Sequence, residues 1–245
     1  MALADAAPFA VAAWTLDEAS GTRADQVGAN DLTDNNTVLA ATGMFGDAAD
    51  FEAGNSEYLS ITDNTDLSTG DVDFMVRCWI KVESMSGGTG VICAKGTDVG
   101  DGNTCEYGLY TNTSNELNFR VLKAGVGSQT AVWSATLSTG VWYLVHAWHD
   151  SVNNVVGIAV DAGTAVTASW SSGANDSTGD FRIGVDGASR HYDGLVDDFV
   201  VIKDYILDAT ERTEDYNSGT GVAFADWAGG GTTLRGRLSL LGVGI

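Results

Sequence analysis

"YDGLVDDFVVIKDY" (192–205) sets two adjacent carboxylates, Asp197 and Asp198, inside an otherwise apolar, β-branched run. These residue types favour a strand, and 194–202 is apolar on both faces apart from the two acids. That pattern predicts a central strand covered on both sides. Neighbouring side chains in a strand point to opposite faces, so Asp197 and Asp198 are expected to aim apart, one of them toward packed core. A buried carboxylate must be neutralised, hydrogen-bonded or bound to a cation. Carboxylates aimed apart share no substrate atom, so the pair reads as a structural device and not as a catalytic dyad.

Similar segments recur outward from this strand. "FMVRCWIKV" (74–82), "LNFRVLKAG" (117–125), "VWYLVHAWHD" (141–150), "VVGIAVDAG" (155–163) and "DFRIGVDG" (180–187) are short, β-branched or aromatic, and bounded by Gly, Asn, Asp or Ser. In 74–82 the face Phe74, Val76, Cys78, Ile80 and Val82 is apolar, and Met75, Arg77, Trp79 and Lys81 form the other. One helix is expected near residues 208–217, with Asp208 as N-cap and Glu211 at capping-box spacing. The chain is therefore all-β, a two-sheet antiparallel sandwich with one short helix near its end.

A length of 245 residues suffices for one large core. Glycines number 31 against a single proline, which suits many tight turns. The net charge of −21 argues against nucleic-acid binding and against anionic lipid, and it favours solubility and surface sites for Ca²⁺. Cys78 lies on an apolar strand face as a small hydrophobe. Cys93 and Cys105 could pair across a loop, but their spacing spells neither a metal knuckle nor a redox pair. "MALADAAPFAVAAW" carries Asp5 and no basic stretch, so a secretory signal is not expected, and no apolar run reaches membrane-spanning length.

Five motifs in a fixed order carry a resemblance: "WTLDEASGTRADQVGANDLT" (14–33), "GMFGDAADFEAGNSEYLSI" (43–61), "DLSTGDVDFMVRCWIKV" (66–82), "GVWYLVHAWHD…IAVDAG" (140–163) and "FRIGVDGASRHYDGLVDDFVVIKDYILDATERTEDYNSGTG" (181–221). Together, over about residues 9–222, they resemble the laminin-G-like, concanavalin A-like jelly-roll family. The resemblance implies two packed, curved antiparallel sheets, preceded by an N-terminal arm (1–8) and followed by a tail (223–245). It fixes no function, since that fold hosts lectins, glycanases, adhesion modules and particle proteins. Glycanases of this kind carry Glu-x-Asp-x-Glu on one strand. No glutamate here has an Asp two residues later, and no Gly-x-Ser-x-Gly turn presents a nucleophile. The expectation is that the chain is not an enzyme.

Related sandwiches carry a structural Ca²⁺ between the first strand and the last, and the matching positions are Asp17, Glu18, Asp197 and its neighbour Asp198, with a carbonyl near Gly46. A metal-free alternative stays open, with Asp197 accepting backbone N–H groups or pairing with Arg23 or Arg182. "GTDVGDGNTCEYG" offers a weaker second set, Asp98, Asp101, Asn103 and Glu106, without full EF-hand spacing. Aromatic faces stack on sugar rings, which makes Trp133, Trp170, Tyr110 and Tyr192 the candidate ligand-binding residues. Trp79 and Trp142 read as scaffold, and His146 as a hydrogen-bonded structural histidine.

From Ala228 the chain runs "AGGGTTLRGRLSLLGVGI", a glycine hinge followed by basic and apolar residues. Leu234, Arg235, Arg237, Leu238, Leu240, Leu241, Val243 and Ile245 are expected to dock on other protein chains of an assembly. The leading expectation is a non-enzymatic structural or adhesion protein of a larger assembly, a virion decoration or surface or tail protein made in the host cytoplasm. The alternative is an extracellular, calcium-assisted carbohydrate-binding module that recognises cell-surface glycans.

Overall fold

Alternation in 74–82 divides the molecule into its layers. The computed structural model describes residues 2–85 and 88–228. Its first strands are β1 (Ala10–Trp14), β2 (Thr33–Asn35), β3 (Leu39–Thr42), β4 (Asp47–Phe51) and β5 (Tyr58–Ile61). Next come β6 (Phe74–Val82), β7 (Gly90–Gly96), β8 (Cys105–Thr111), β9 (Leu117–Lys123) and β10 (Gly127–Trp133). The last five are β11 (Trp142–Asp150), β12 (Val155–Val160), β13 (Val166–Ser169), β14 (Phe181–Ile183) and β15 (Gly194–Lys203). Strands β13-β12-β11-β6-β15-β4-β3 form one sheet, joined by β1 on β15, and β10-β9-β8-β7-β14-β5-β2 form the other. All these pairings are antiparallel, so the chain is the expected all-β, two-sheet sandwich.

Phe74, Val76, Cys78, Ile80 and Val82 of β6 face the other sheet, where they join Phe119, Tyr107, Phe181 and Trp14 in the main core. Trp14 stacks on Phe181 with ring centroids 5.5 Å apart, and Phe181 meets Phe199 edge-on at 5.8 Å. Each such pair contributes about 0.5–1.5 kcal/mol beyond its area. The opposite face of the eight-stranded sheet is covered too. Met75, Trp148, Val200 and Ile202 pack there against Leu3, Leu207, Phe224 and Trp227. Burial on both faces of β15 is what its apolar sequence predicts.

Two helices belong to this outer cover: α1 (Leu3–Ala6) and α2 (Ala209–Tyr216). Asp208 caps α2 as predicted, accepting from the amides of Thr210 (2.8 Å) and Glu211 (2.9 Å), while Glu211 accepts from the Asp208 amide (2.8 Å). The N-terminal arm is thus partly helical and packed. Packing also continues past residue 222, since Phe224 and Trp227 are buried. The docking residues of the tail, from Leu234 to Ile245, lie outside the described residues. Among the described residues no helix is long and apolar enough to cross a membrane.

Cys78, Cys93 and Cys105 are free and buried. Cys93 faces the main core, whereas Cys105 lies in a separate cluster on the outer face of the seven-stranded sheet with Val99, Tyr110 and Leu122. The pairing left open by the sequence is not made because the two thiols face opposite sides of their sheet.

Candidate functional site

The two acids of β15 do not aim apart. Val196 and Phe199 both face the main core, and the register of β15 against β6 slips between Asp197 and Val200. Asp198 takes the left-handed conformation, φ 48°, which places a bulge here. Both carboxylates consequently lie on the outer face, a correction to the simple alternation expected of a strand. Each has its own partners. Asp198 pairs with Arg77 of β6 and accepts from the Phe224 amide at 2.9 Å. Arg77, fully buried, also forks onto Asp215 of α2 at 2.9 and 2.8 Å and donates to the Val222 carbonyl at 3.0 Å. His146 completes the network at 2.8 Å from Asp215, the hydrogen-bonded structural role expected of it. Burial works against the charge on Asp215, but Arg77 and His146 outweigh it and hold the carboxyl below its usual range. This network fastens α2 and residues 222–227 to the sheet.

Asp197 faces the turn between β3 and β4. Its Oδ2 accepts from the amides of Met44 (2.7 Å) and Phe45 (2.9 Å), while its buried Oδ1 has no hydrogen-bond partner. Asp17 reaches the same turn and accepts from the Asp47 amide at 2.9 Å. A Cβ at Gly43 would stand 2.6 Å from Asp197 Oδ2, and one at Gly46, φ 69°, 2.4 Å from Asp17 Oδ1. Glycine is required at both positions because the carboxylates press on the backbone. Burial pushes Asp197 up to about 7, against the two amides and helped by the negative charge of Asp198 and Asp17. Asp17 and Asp197 are thus the two expected metal-site acids that reach this turn, with Asp197 Oδ1 buried and unpartnered beside it. Glu18 and Asp198 do not join them. Glu18 accepts from the Ala24 amide at 2.8 Å and lies 3.9 Å from Arg23, and Asp198 is committed to Arg77.

The weaker metal set is likewise dispersed. Asp98 pairs with Arg190, and Asp101 accepts from Asn103 within its own turn. Glu106 points to the other side, onto Lys95 (2.9 Å) and Ser177 (3.0 Å). Asp50, Glu52 and Glu83, not singled out in the sequence, bring carboxylate oxygens within 4.8 Å of one another. They come from different segments, so no local spacing announces them.

Of the four aromatic candidates, Trp170 lines a cleft. Its indole donates to the Gly173 carbonyl at 2.8 Å, and Asn153, Asn154, Ser169, Ser171 and Ser172 line the same cleft of about 350 Å³. Trp133 is half-buried and packs edge-on against Tyr143 at 6.0 Å. It is not part of the Trp170 platform. The residues lining the Trp170 cleft do not include it. Tyr110 and Tyr192 are buried, a correction to their reading as ligand-facing residues. Tyr110 lies in the outer-face cluster with Val91, Val99 and Leu122, with the Arg120 guanidinium 5.7 Å from its ring centre, and Tyr192 belongs to the main core.

A second cleft, of about 360 Å³, opens over β5 and β14 and includes Tyr58, Arg182, Ser189 and His191. Arg182 enters the sequence reading only as a possible partner for Asp197. Alternation alone puts it on the solvent face, since Phe181 and Ile183 face the core.

The sequence model described as the concanavalin A-like lectin/glucanases superfamily matches residues 53–211, more than half of the chain. No curated protein matches. Among solved structures, the chain is similar to the binding domain of Paraclostridial Mosquitocidal Protein 1, with TM-score 0.71 and 13% identity, over 88% of this chain and 53% of that one. It is similar to domain 4 of AbnA, an extracellular arabinanase from Geobacillus stearothermophilus, in complex with arabinotriose. There the TM-score is 0.62 and the identity 16%, over 84% and 97% of the two chains. A third likeness is to the binding domain of Botulinum Neurotoxin DC in complex with SialylT, with TM-score 0.63 and 13% identity, over 89% and 52%. The chain spans about half the length of the two toxin binding domains. At these identities the likeness is one of fold.

Proposed function

The chain belongs to the concanavalin A-like lectin/glucanases superfamily, and from that premise we propose that it is a non-catalytic carbohydrate-binding module. The observation that carries this reading is Trp170. Its N–H is held by the Gly173 carbonyl, and, half-buried against the main core, it lines a cleft with two asparagines and three serines. An aromatic face binds the apolar side of a sugar ring, and amides and hydroxyls satisfy its hydroxyl groups. Support also comes from the arabinotriose complex of a domain with this fold.

Calcium assists indirectly in this proposal. Asp17 and Asp197 would hold Ca²⁺ beside the 43–46 turn, tying the segment after β1 to β15, so its contribution is stability and not contact with sugar. The reading as an assembly or virion component draws in part on the tail, and residues 229–245 lie outside the described residues. The test is a glycan array. A saturable, specific signal that Trp170→Ala abolishes and Trp133→Ala spares supports the module; no signal on any glycan contradicts it.

A further inference from the structure

Arg182 carries a demand that the chain itself does not meet. One guanidinium nitrogen, Nη2, donates to Asp180 at 2.9 Å, but Nε is buried and has no hydrogen-bond partner. A buried donor without an acceptor is costly, and more so when charged. The residue is nevertheless reachable, with 22% of its side chain exposed in the cleft over β5 and β14.

The surroundings are built to hold it there. Arg182 pairs with Ser60 across the β14–β5 ladder, and Leu59, Phe181 and Ile183 face the core, so Tyr58, Ser60 and Arg182 share the solvent face. The guanidinium carbon stands 6.0 Å from the centre of the Tyr58 ring. From above, the backbone at Gly187 comes so close that a Cβ would lie 2.8 Å from Nη1. The covering loop is itself fixed. Asp186 accepts from Arg190 Nε at 2.9 Å and from the Val99 amide at 3.3 Å, and Arg190 pairs with Asp98. The acids at the walls are thus both engaged, Asp186 by Arg190 and Asp180 by Arg182.

Other groups around the cleft add polar edges. Ser56, Ser189 and Asn36 line it, all in the left-handed conformation at φ 58°, 63° and 67°. His191 borders it with Nδ1 buried and without a partner. Left-handed backbone at non-glycine positions persists where surrounding structure enforces it, and it clusters at binding sites.

We infer that this cleft is a second binding site, distinct from the Trp170 platform, for a carboxylate-bearing sugar residue. The carboxylate meets the exposed part of the Arg182 side chain, in a charge-assisted bond that a sugar hydroxyl makes less strongly, while Nε stays buried. Tyr58 supplies a ring edge and the serines and Asn36 supply partners for hydroxyls. The carboxylate preference stands on Arg182 alone; only the sugar part rests on the carbohydrate-binding reading.

The test is calorimetric titration with glucuronic acid and N-acetylneuraminic acid, against glucose and acetate as controls, on wild type, Arg182→Gln, Arg182→Lys and Trp170→Ala. The expected result is saturable binding of at least one acidic sugar, preferred over glucose and weakened by salt. Arg182→Gln should weaken it roughly 10- to 100-fold, Arg182→Lys should retain part of it, and Trp170→Ala should leave it unchanged. Arg182→Lys keeps the charge, so it separates loss of the guanidinium from loss of fold, which melting curves check for every variant. Glucose binding as well as the acids, loss with Trp170→Ala but not with Arg182→Gln, or no binding of either acid would each overturn the inference. Acetate binding alone, lost in Arg182→Gln, overturns the sugar part and keeps the fate of the Trp170 reading separate.

Discussion

Asp197 and Asp198 are neighbours in sequence and lie on the same side of their sheet, because the backbone at Asp198 turns left-handed and β15 bulges there. The bulge gives them separate work. Asp198 faces β6 and Arg77, and Asp197 faces the turn at Met44 and Phe45.

Arg77 should be the most sensitive residue of the outer face. Its removal leaves Asp198 and Asp215 buried without their cation, and such losses cost about 3–5 kcal/mol. Arg77→Met is expected to lower the urea midpoint accordingly and to expose residues 217–228 to protease. A change within about 0.5 kcal/mol would mean the network is dispensable.

Asp197 makes stability depend on pH in a defined sense. Burial raises its folded value to about 7, above the unfolded value near 3.8. The folded state therefore holds the proton more tightly. The stability this group provides is fully present below about pH 4 and is lost as the pH rises through about 7. In EDTA, Asp197→Asn should remove that loss, so that the variant gains about 2–4 kcal/mol on wild type between pH 4 and pH 8. At pH 8, added Ca²⁺ should raise the melting temperature of wild type but not of Asp197→Asn. Equal responses in the two proteins would remove the cation from the account.

The cap of α2 is a smaller test. Asp208→Ala loses two amide bonds and should cost about 1 kcal/mol in denaturant unfolding. Asp208→Asn should recover most of it.

What the sequence shows and hides follows from the range of the interactions. The alternation of β6 predicts its two faces residue by residue, and Asp208 with Glu211 predicts the cap, because both are local. The bulge at Asp198 is invisible to a period of two, although Asp tolerates left-handed backbone better than β-branched neighbours do. The short strands β2, β3, β5 and β13 escape because three or four residues carry little apolar periodicity. Tyr110 reads as a ligand-binding residue because what covers it, including Arg120 of β9, comes from other strands. The Arg182 cleft is assembled by β5, β14, Asn36, Ser56 and the 185–191 loop, so only Arg182's place on the solvent face is legible beforehand.

The most direct test of the central claim is titration of the tightest array glycan into wild type and Trp170→Ala, with matched melting curves. The account predicts that the variant folds and loses roughly tenfold or more in affinity. Unchanged affinity in a folded Trp170→Ala protein would contradict it.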